Sequence, residues 1–153
     1  MRRPTLRRVL SIALLVAAAA ACHRTAGGVE PGAAAPVVAV QQFLAAAKAQ
    51  DIQAMGAVWG NAEKPMREFA PRQEYERRLL IMMCHLRHDE SRIGGPQTGE
   101  AGRIVFRVDL TQGTKAVSAN FTTVKNAGTG RWFVEDFDFP ATRALCANPP
   151  ANP

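Results

Sequence analysis

The 153-residue chain has no Cys-x-x-Cys pair, no glycine-rich loop leading into a helix, and no serine held between glycines. Those absences exclude paired-cysteine redox or zinc motifs, a phosphate cradle and a nucleophile elbow. One-signed charge is also scarce. Lys and Arg total 19 against 13 Asp and Glu, a formal charge of +6, with a pI near 9.9. Four of the arginines, Arg2, Arg3, Arg7 and Arg8, crowd the first eight residues; the rest of the chain has 15 basic residues against 13 acidic ones, or +2. These charges are mixed in sign along the chain, with no basic stripe interleaved with readout elements, so nucleic acid is not an expected partner. The length allows one domain and excludes a large multidomain enzyme or a repeat array.

What is present begins with an address. Residues 1–8 are basic, and residues 9–21 form a thirteen-residue apolar run, too short to cross a membrane comfortably as a helix. The run ends in small residues, as an export signal does. Ala19-Ala20-Ala21-Cys22 resembles a bacterial lipobox, with Ala19 where leucine is usual. That resemblance implies a lipoprotein signal peptide over residues 1–21 with lipidation at Cys22; plain secretion with a spare cysteine is the other reading. The membrane is then reached through an N-terminal lipid, with no spanning helix. Arg7-Arg8 only partly fits a twin-arginine signal. His23, rather than aspartate, follows Cys22, so the expected location is the bacterial cell envelope, on the periplasmic face of the outer membrane. Residues 22–35 are rich in Gly, Ala and Pro and read as a flexible tether with His23 a solvated member. The Pro-rich residues 147–153 read as a disordered tail.

Residues 36–146 carry the folded pattern. Pro36 suits a first helical turn, and Val37, Val40, Leu44 and Ala47 recur at helical spacing, predicting a helix over 36–50. Asp51 is placed to cap a second helix over 52–59, stopped by Gly60. A third helix, 72–88, has Tyr75, Leu79, Met82 and Leu86 on one stripe, broadened by Leu80, Met83 and Cys84. Residues 91–99 form a weak strand candidate broken by Gly94-Gly95-Pro96. Residues 103–111 alternate clearly, as do 115–125, and a last strand over 131–139 is ended by Pro140. Helices followed by an antiparallel meander make an α+β domain.

VVAVQQFLAAAKAQDIQAMGAVWG (37–60), followed by a third helix and strands ending in GRWFVEDFDF (130–139), resembles the nuclear-transport-factor-2-like, or cystatin-like cone, superfamily, and its uncharacterised bacterial lipoprotein members. The resemblance spans about residues 36–139. It implies three N-terminal helices packed on a curved antiparallel sheet, with a pocket at the mouth of a cone. Trp59, Tyr75, Met82, Phe106 and Trp132 are the candidate pocket residues. Enzymes of that superfamily use a pocket carboxylate, histidine or tyrosine for proton transfer. Strict alternation on the last strand puts Trp132, Val134, Asp136 and Asp138 on one face and Phe133, Glu135, Phe137 and Phe139 on the other. Asp136 is thus a candidate general base if that face is concave, with Arg103 or Arg107 orienting an anion; if it is convex, Asp136, Asp138 and Asp109 are solvated charges. Tyr75 is the second catalytic candidate, with core packing its other reading. No residue set matches the catalytic sets of the isomerase, dehydratase or epoxide-hydrolase members.

Cys84 and Cys146 remain after Cys22 is set aside. In an oxidising compartment two thiols tend to pair, with two free buried thiols as the other reading, and a bond closing their 62-residue separation contributes roughly 3–4 kcal/mol in the chain-entropy model. Cys84 and His88, four residues apart with His85 and Asp89 beside them, could instead ligate a metal. No third ligand is evident, and no metal or cofactor is expected. Met55, Met66, Met82 and Met83 read as core, with an adaptable pocket wall as the alternative. Three functions follow in order. The first is a lipid-anchored envelope protein binding a small apolar ligand or a protein partner. The second is a structural homodimer of an envelope assembly. The third is an acid–base enzyme.

Overall fold

Ala35 is extended and Pro36 opens the first helix, α1 (Pro36–Ala49), at the position where a missing N–H costs nothing. Its buried residues are Ala39, Val40, Phe43, Leu44, Ala46 and Ala47, the three-and-four spacing of one apolar face. Gln50 ends it in the left-handed conformation at φ 57°. The Asp51 N–H reaches the Ala46 carbonyl at 2.9 Å and the Gln50 N–H reaches Ala47 at 3.2 Å, which satisfies the last turn in a Schellman pattern. The computed structural model describes residues 30–146. The signal residues 1–21, Cys22, His23 and the tail 147–153 lie outside the described residues.

Asp51 then caps α2 (Ile52–Ala57), accepting from the Ala54 N–H at 2.9 Å. This helix is two residues shorter than its pattern suggested. Val58 to Gly60 leave it to line the edge of the last strand: the Val134 N–H donates to the Val58 carbonyl at 2.9 Å, and the Gly60 N–H to Val134 at 3.2 Å. Asn61 Oδ1 accepts from the N–H groups of Glu63 and Lys64, both at 2.9 Å, and a short 3-10 turn, Met66–Glu68, leads on. The third helix, α3 (Arg72–His85), buries Tyr75, Leu79 and Met82. It stops three residues before its expected end, so His88 and Asp89 lie past it.

The sheet is a four-stranded antiparallel meander in the order β1 (Glu90–Thr98), β2 (Ile104–Gln112), β3 (Lys115–Lys125) and β4 (Trp132–Phe137). Gly113 at φ 55° heads the two-residue turn joining β2 to β3. Gly94-Gly95-Pro96 does not break β1. Ile93 pairs with Val108 and Pro96 with Phe106, so three steps on β1 match two on β2. This bulge takes up the extra residue, and β1 is an edge strand on which proline is tolerated. A second bulge corrects the face assignment on β4. Thr122 opposes Asp136 while Thr123 opposes Val134, which leaves Glu135 as the extra residue. Val134 and Phe137 therefore both enter the core, and Asp136 is exposed.

Pro140 does not end the chain's order either. A fourth helix, α4 (Phe139–Cys146), follows, capped by Asp138 Oδ1, which accepts from the Ala141 N–H at 3.1 Å. It packs on β3 and α3. Among the described residues the fold is thus α+β, with four helices and a four-stranded antiparallel sheet. The chain also folds earlier than residue 36: Ala33 and Trp132 exchange backbone hydrogen bonds at 2.8 Å each, so the last residues assigned to the tether belong to the domain. The described residues from Pro31 fall in one compact unit. Its centre is aromatic. Phe43, Phe106 and Phe121 are fully enclosed, and Phe137 lies 5.4 Å from the Phe121 ring and 6.4 Å from Phe43. Phe133 and Val124 are buried apart from this cluster. Gly32 and Gly60 let the backbone close over Phe133: a Cβ on either would come within 2.9 Å or 2.8 Å of its ring.

Candidate functional site

The five residues expected to line a pocket share one neighbourhood. Trp59 and Tyr75 stack with ring centroids 5.6 Å apart, and only 7% and 8% of their surfaces are exposed. Met82 and Phe106 are buried in the same apolar cluster, with half-buried Trp132 packed against it. Trp59, Tyr75, Met82 and Phe106 are all buried members of that one apolar cluster. Met55 joins them in the core, with Met66 and Met83 packed at its margin.

Tyr75 is the member of this set that reaches an open cleft. α2, the 3-10 turn and α3 form a surface hollow of about 410 Å³ lined by Gln53, Arg67, Glu68, Arg72, Tyr75 and Glu76. Burial pushes the Tyr75 hydroxyl above its ordinary pKa, with Arg67 pulling it down and Glu76 adding to the rise. The phenol therefore holds its proton in the neutral range, available as a hydrogen-bond donor. Arg72 donates to Glu76 at 2.7 Å, and this hydrogen bond, with the adjacent charge, raises the guanidinium pKa. The hollow holds two arginines and two glutamates, one pair already joined.

The carboxylates do not form a site together. Asp136 is exposed on the outer side of β4, opposite Thr122. Asp138 caps α4, and exposed Asp109 accepts from the Ser118 hydroxyl. Arg103 does not orient toward Asp136. It grips Glu135 through two hydrogen bonds, Nη2 to Oε1 at 2.8 Å and Nε to Oε2, and the first cause of its raised pKa is that hydrogen bonding. Arg107 is mostly solvated, 3.9 Å from Asp109. The outer sheet face holds a shallow hollow of about 280 Å³ between Glu90, Ser91, Arg92, Asp109 and Thr111.

Cys84 and Cys146 are joined as a disulfide with Cα atoms 5.0 Å apart, so neither sulfur is free to hold a metal. His85 Nδ1 lies 3.2 Å from the Thr142 hydroxyl, its ring edge on Phe139 at 4.9 Å. His88 Nδ1 donates to the Leu86 carbonyl at 2.7 Å. Among the described residues no three His, Cys, Asp or Glu side chains gather as a metal site, and no helix is long and apolar enough to cross a membrane.

One surface escaped the sequence reading. Leu80, assigned to the apolar stripe, is 54% exposed, and Ile81 is 50% exposed. A groove of about 190 Å³ runs beside them, lined by Ala47, Gln50, Leu80, Met83, Cys84 and Arg87. The unbroken run Leu79 to Met83 has no phase of its own, which hid which of its members face outward. The chain matches no protein-family model, no curated protein and no solved structure.

Proposed function

We infer that this is a lipid-anchored protein of the bacterial cell envelope, whose folded unit is a nuclear-transport-factor-2-like binding module that meets a protein partner through its surface. The burial of the expected pocket residues supports the choice of a surface over an internal pocket. Trp59, Tyr75, Met82 and Phe106 lie within one apolar cluster, with the Trp59 and Tyr75 rings stacked, and closely packed interiors offer an apolar ligand little room. The anchor rests on Cys22 following a basic segment, an apolar run and three alanines. Exposure of Asp136 weakens proton transfer as a role, since a general base is tuned by apolar walls. One arrangement favours a second reading: Arg67, Arg72 and Tyr75 line one surface hollow, which suits a small anionic ligand held at the surface.

Native mass spectrometry of the protein purified from its own envelope tests both parts. The expected result is a polypeptide starting at an acylated Cys22, with no retained small molecule. An unmodified cysteine overturns the anchor. A co-purifying small-molecule mass overturns the surface reading and makes the Tyr75 hollow the first place to seek it.

A further inference from the structure

The exposed apolar pair on α3 has a charge setting of its own. Arg77, Leu80, Ile81 and Cys84 fall at three- and four-residue spacing along the helix, hence on one face. Arg87, just past the helix, lines the groove that Leu80 and Met83 also line. The acidic residues of α3 are already engaged. Glu74 pairs with Arg78 and Glu76 with Arg72. Arg77 and Arg87 have no acidic partner among the described residues, so the face around Leu80 and Ile81 carries net positive charge. Phe69, also exposed, differs because Lys64 Nζ covers its ring at 4.4 Å.

Chain length adds a second, independent constraint. Ala33 is fastened to Trp132, so only residues 23–30 separate Cys22 from the start of the compact unit. Fully extended, eight residues reach at most about 28 Å. On the lipid-anchor reading, an acyl chain on Cys22 keeps the start of the compact unit within that distance of headgroups. A face with two solvated aliphatic side chains between two uncompensated arginines fits that surface: the aliphatic groups enter the headgroup–acyl boundary, and the guanidiniums meet phosphates.

We propose that the α3 face formed by Arg77, Leu80, Ile81 and Arg87 is a membrane-resting surface that docks on anionic phospholipid. This rests on the lipid-anchor reading for its cellular setting, but the interaction itself needs no acyl chain, which lets the two be tested apart. The probe is the mature chain, residues 22–153 with Cys22→Ser, sedimented with phosphatidylcholine vesicles with and without phosphatidylglycerol. Two arginines at the surface give an expected gain in partitioning of roughly tenfold or more on adding the anionic lipid, reversed by high salt. Leu80→Ser with Ile81→Ser should abolish binding in both salt conditions. Arg77→Gln with Arg87→Gln should leave weak binding that no longer distinguishes the lipids. Far-ultraviolet circular dichroism and melting curves confirm that each variant is folded. Failure of the parent chain to bind anionic vesicles overturns the proposal. So does binding that survives the serine pair, or a dimer in solution that the serine pair dissociates, because a second copy would then cover the face. Acylation of Cys22 is read separately from the mass of the native protein, so its absence would remove the anchor without deciding the vesicle result.

Discussion

Tyr75 is the single tyrosine of the chain, which makes its ionisation directly visible in near-ultraviolet absorbance. Its hydroxyl is raised above the ordinary 10.0, first by burial, against an opposing pull from Arg67. In the unfolded chain it releases its proton near 10.0; in the folded chain it does so higher. Between those two values the unfolded state binds fewer protons, so stability falls as pH rises. The contribution is complete below 10.0 and lost on passing through the folded value. A tyrosinate titration centred above 10.0 is expected, and Tyr75→Phe should flatten part of the alkaline loss of stability; a midpoint at or below 10.0 contradicts the burial argument. The same hydroxyl sets a steric limit. A Cβ on Gly56 would stand 1.7 Å from Tyr75 Oη and 2.8 Å from the ring. Gly56→Ala is therefore expected to destabilise the domain by about 1–3 kcal/mol through overpacking. Pairing it with Tyr75→Phe should recover part of the loss, since the ring contact persists; denaturant unfolding of the two single variants and the double variant measures that coupling.

At the scale of elements, Asp138 shows how one cap decides an end. Pro140 was read as a terminator, yet proline is also a first-turn residue, and an aspartate two positions earlier supplies the cap. The same three residues, Asp138-Phe139-Pro140, can close a strand and open a helix, and only the packing of Thr142 and Leu145 selects both at once. Asp138→Ala should cost about 1 kcal/mol, seen as a lower denaturant midpoint with unchanged slope; no change would mean α4 is held by burial alone. At the end of α1, Gln50 occupies a left-handed position that glycine adopts without a Cβ penalty. Gln50→Gly is expected to raise stability by up to about 1 kcal/mol, checked by the same unfolding curves. Regular alternation made β2 and β3 legible, because their paired register is unbroken from Ile104–Thr123 to Gln112–Lys115. β1 and β4 were less so. A bulge inserts one residue without changing composition, and on β4 that inverted the expected exposure of Asp136 relative to Val134. The apolar neighbourhood of Trp59 and Tyr75 was visible in helical spacing, whereas Leu80 and Ile81 were not. Five consecutive apolar residues fit several helix phases, and the helices packed on α3, namely α4, α2 and α1, choose among them.

Across the whole molecule, the Cys84–Cys146 bond ties the last helix to the helical layer that precedes the sheet. α4 is eight residues long, too short to persist without tertiary support. It has two sources of that support: the burial of Thr142 and Leu145 against β3 and α3, and the covalent link at its final residue. The cross-link spans a separation of 62 residues, for which loop-closure entropy alone gives about 4 kcal/mol. That is a large share of the 5–15 kcal/mol typical of a domain (about that range for native proteins in general). The bond joins α3 to the end of α4, whereas the aromatic centre around Phe43, Phe121 and Phe137 contains neither cysteine, so loss of the bond should loosen the helical layer before the sheet. Under reducing conditions, or in the Cys84→Ser/Cys146→Ser double variant, unfolding free energy is expected to fall by about 2–4 kcal/mol. Amide exchange should rise first in α4 and the last turn of α3 and leave β2 and β3 protected. Uniformly faster exchange would show instead that the fold opens as one cooperative unit. Unchanged stability would mean that packing of Leu145 alone secures α4. Such a dependence on oxidation would leave the chain markedly weaker in a reducing compartment than in an oxidising one.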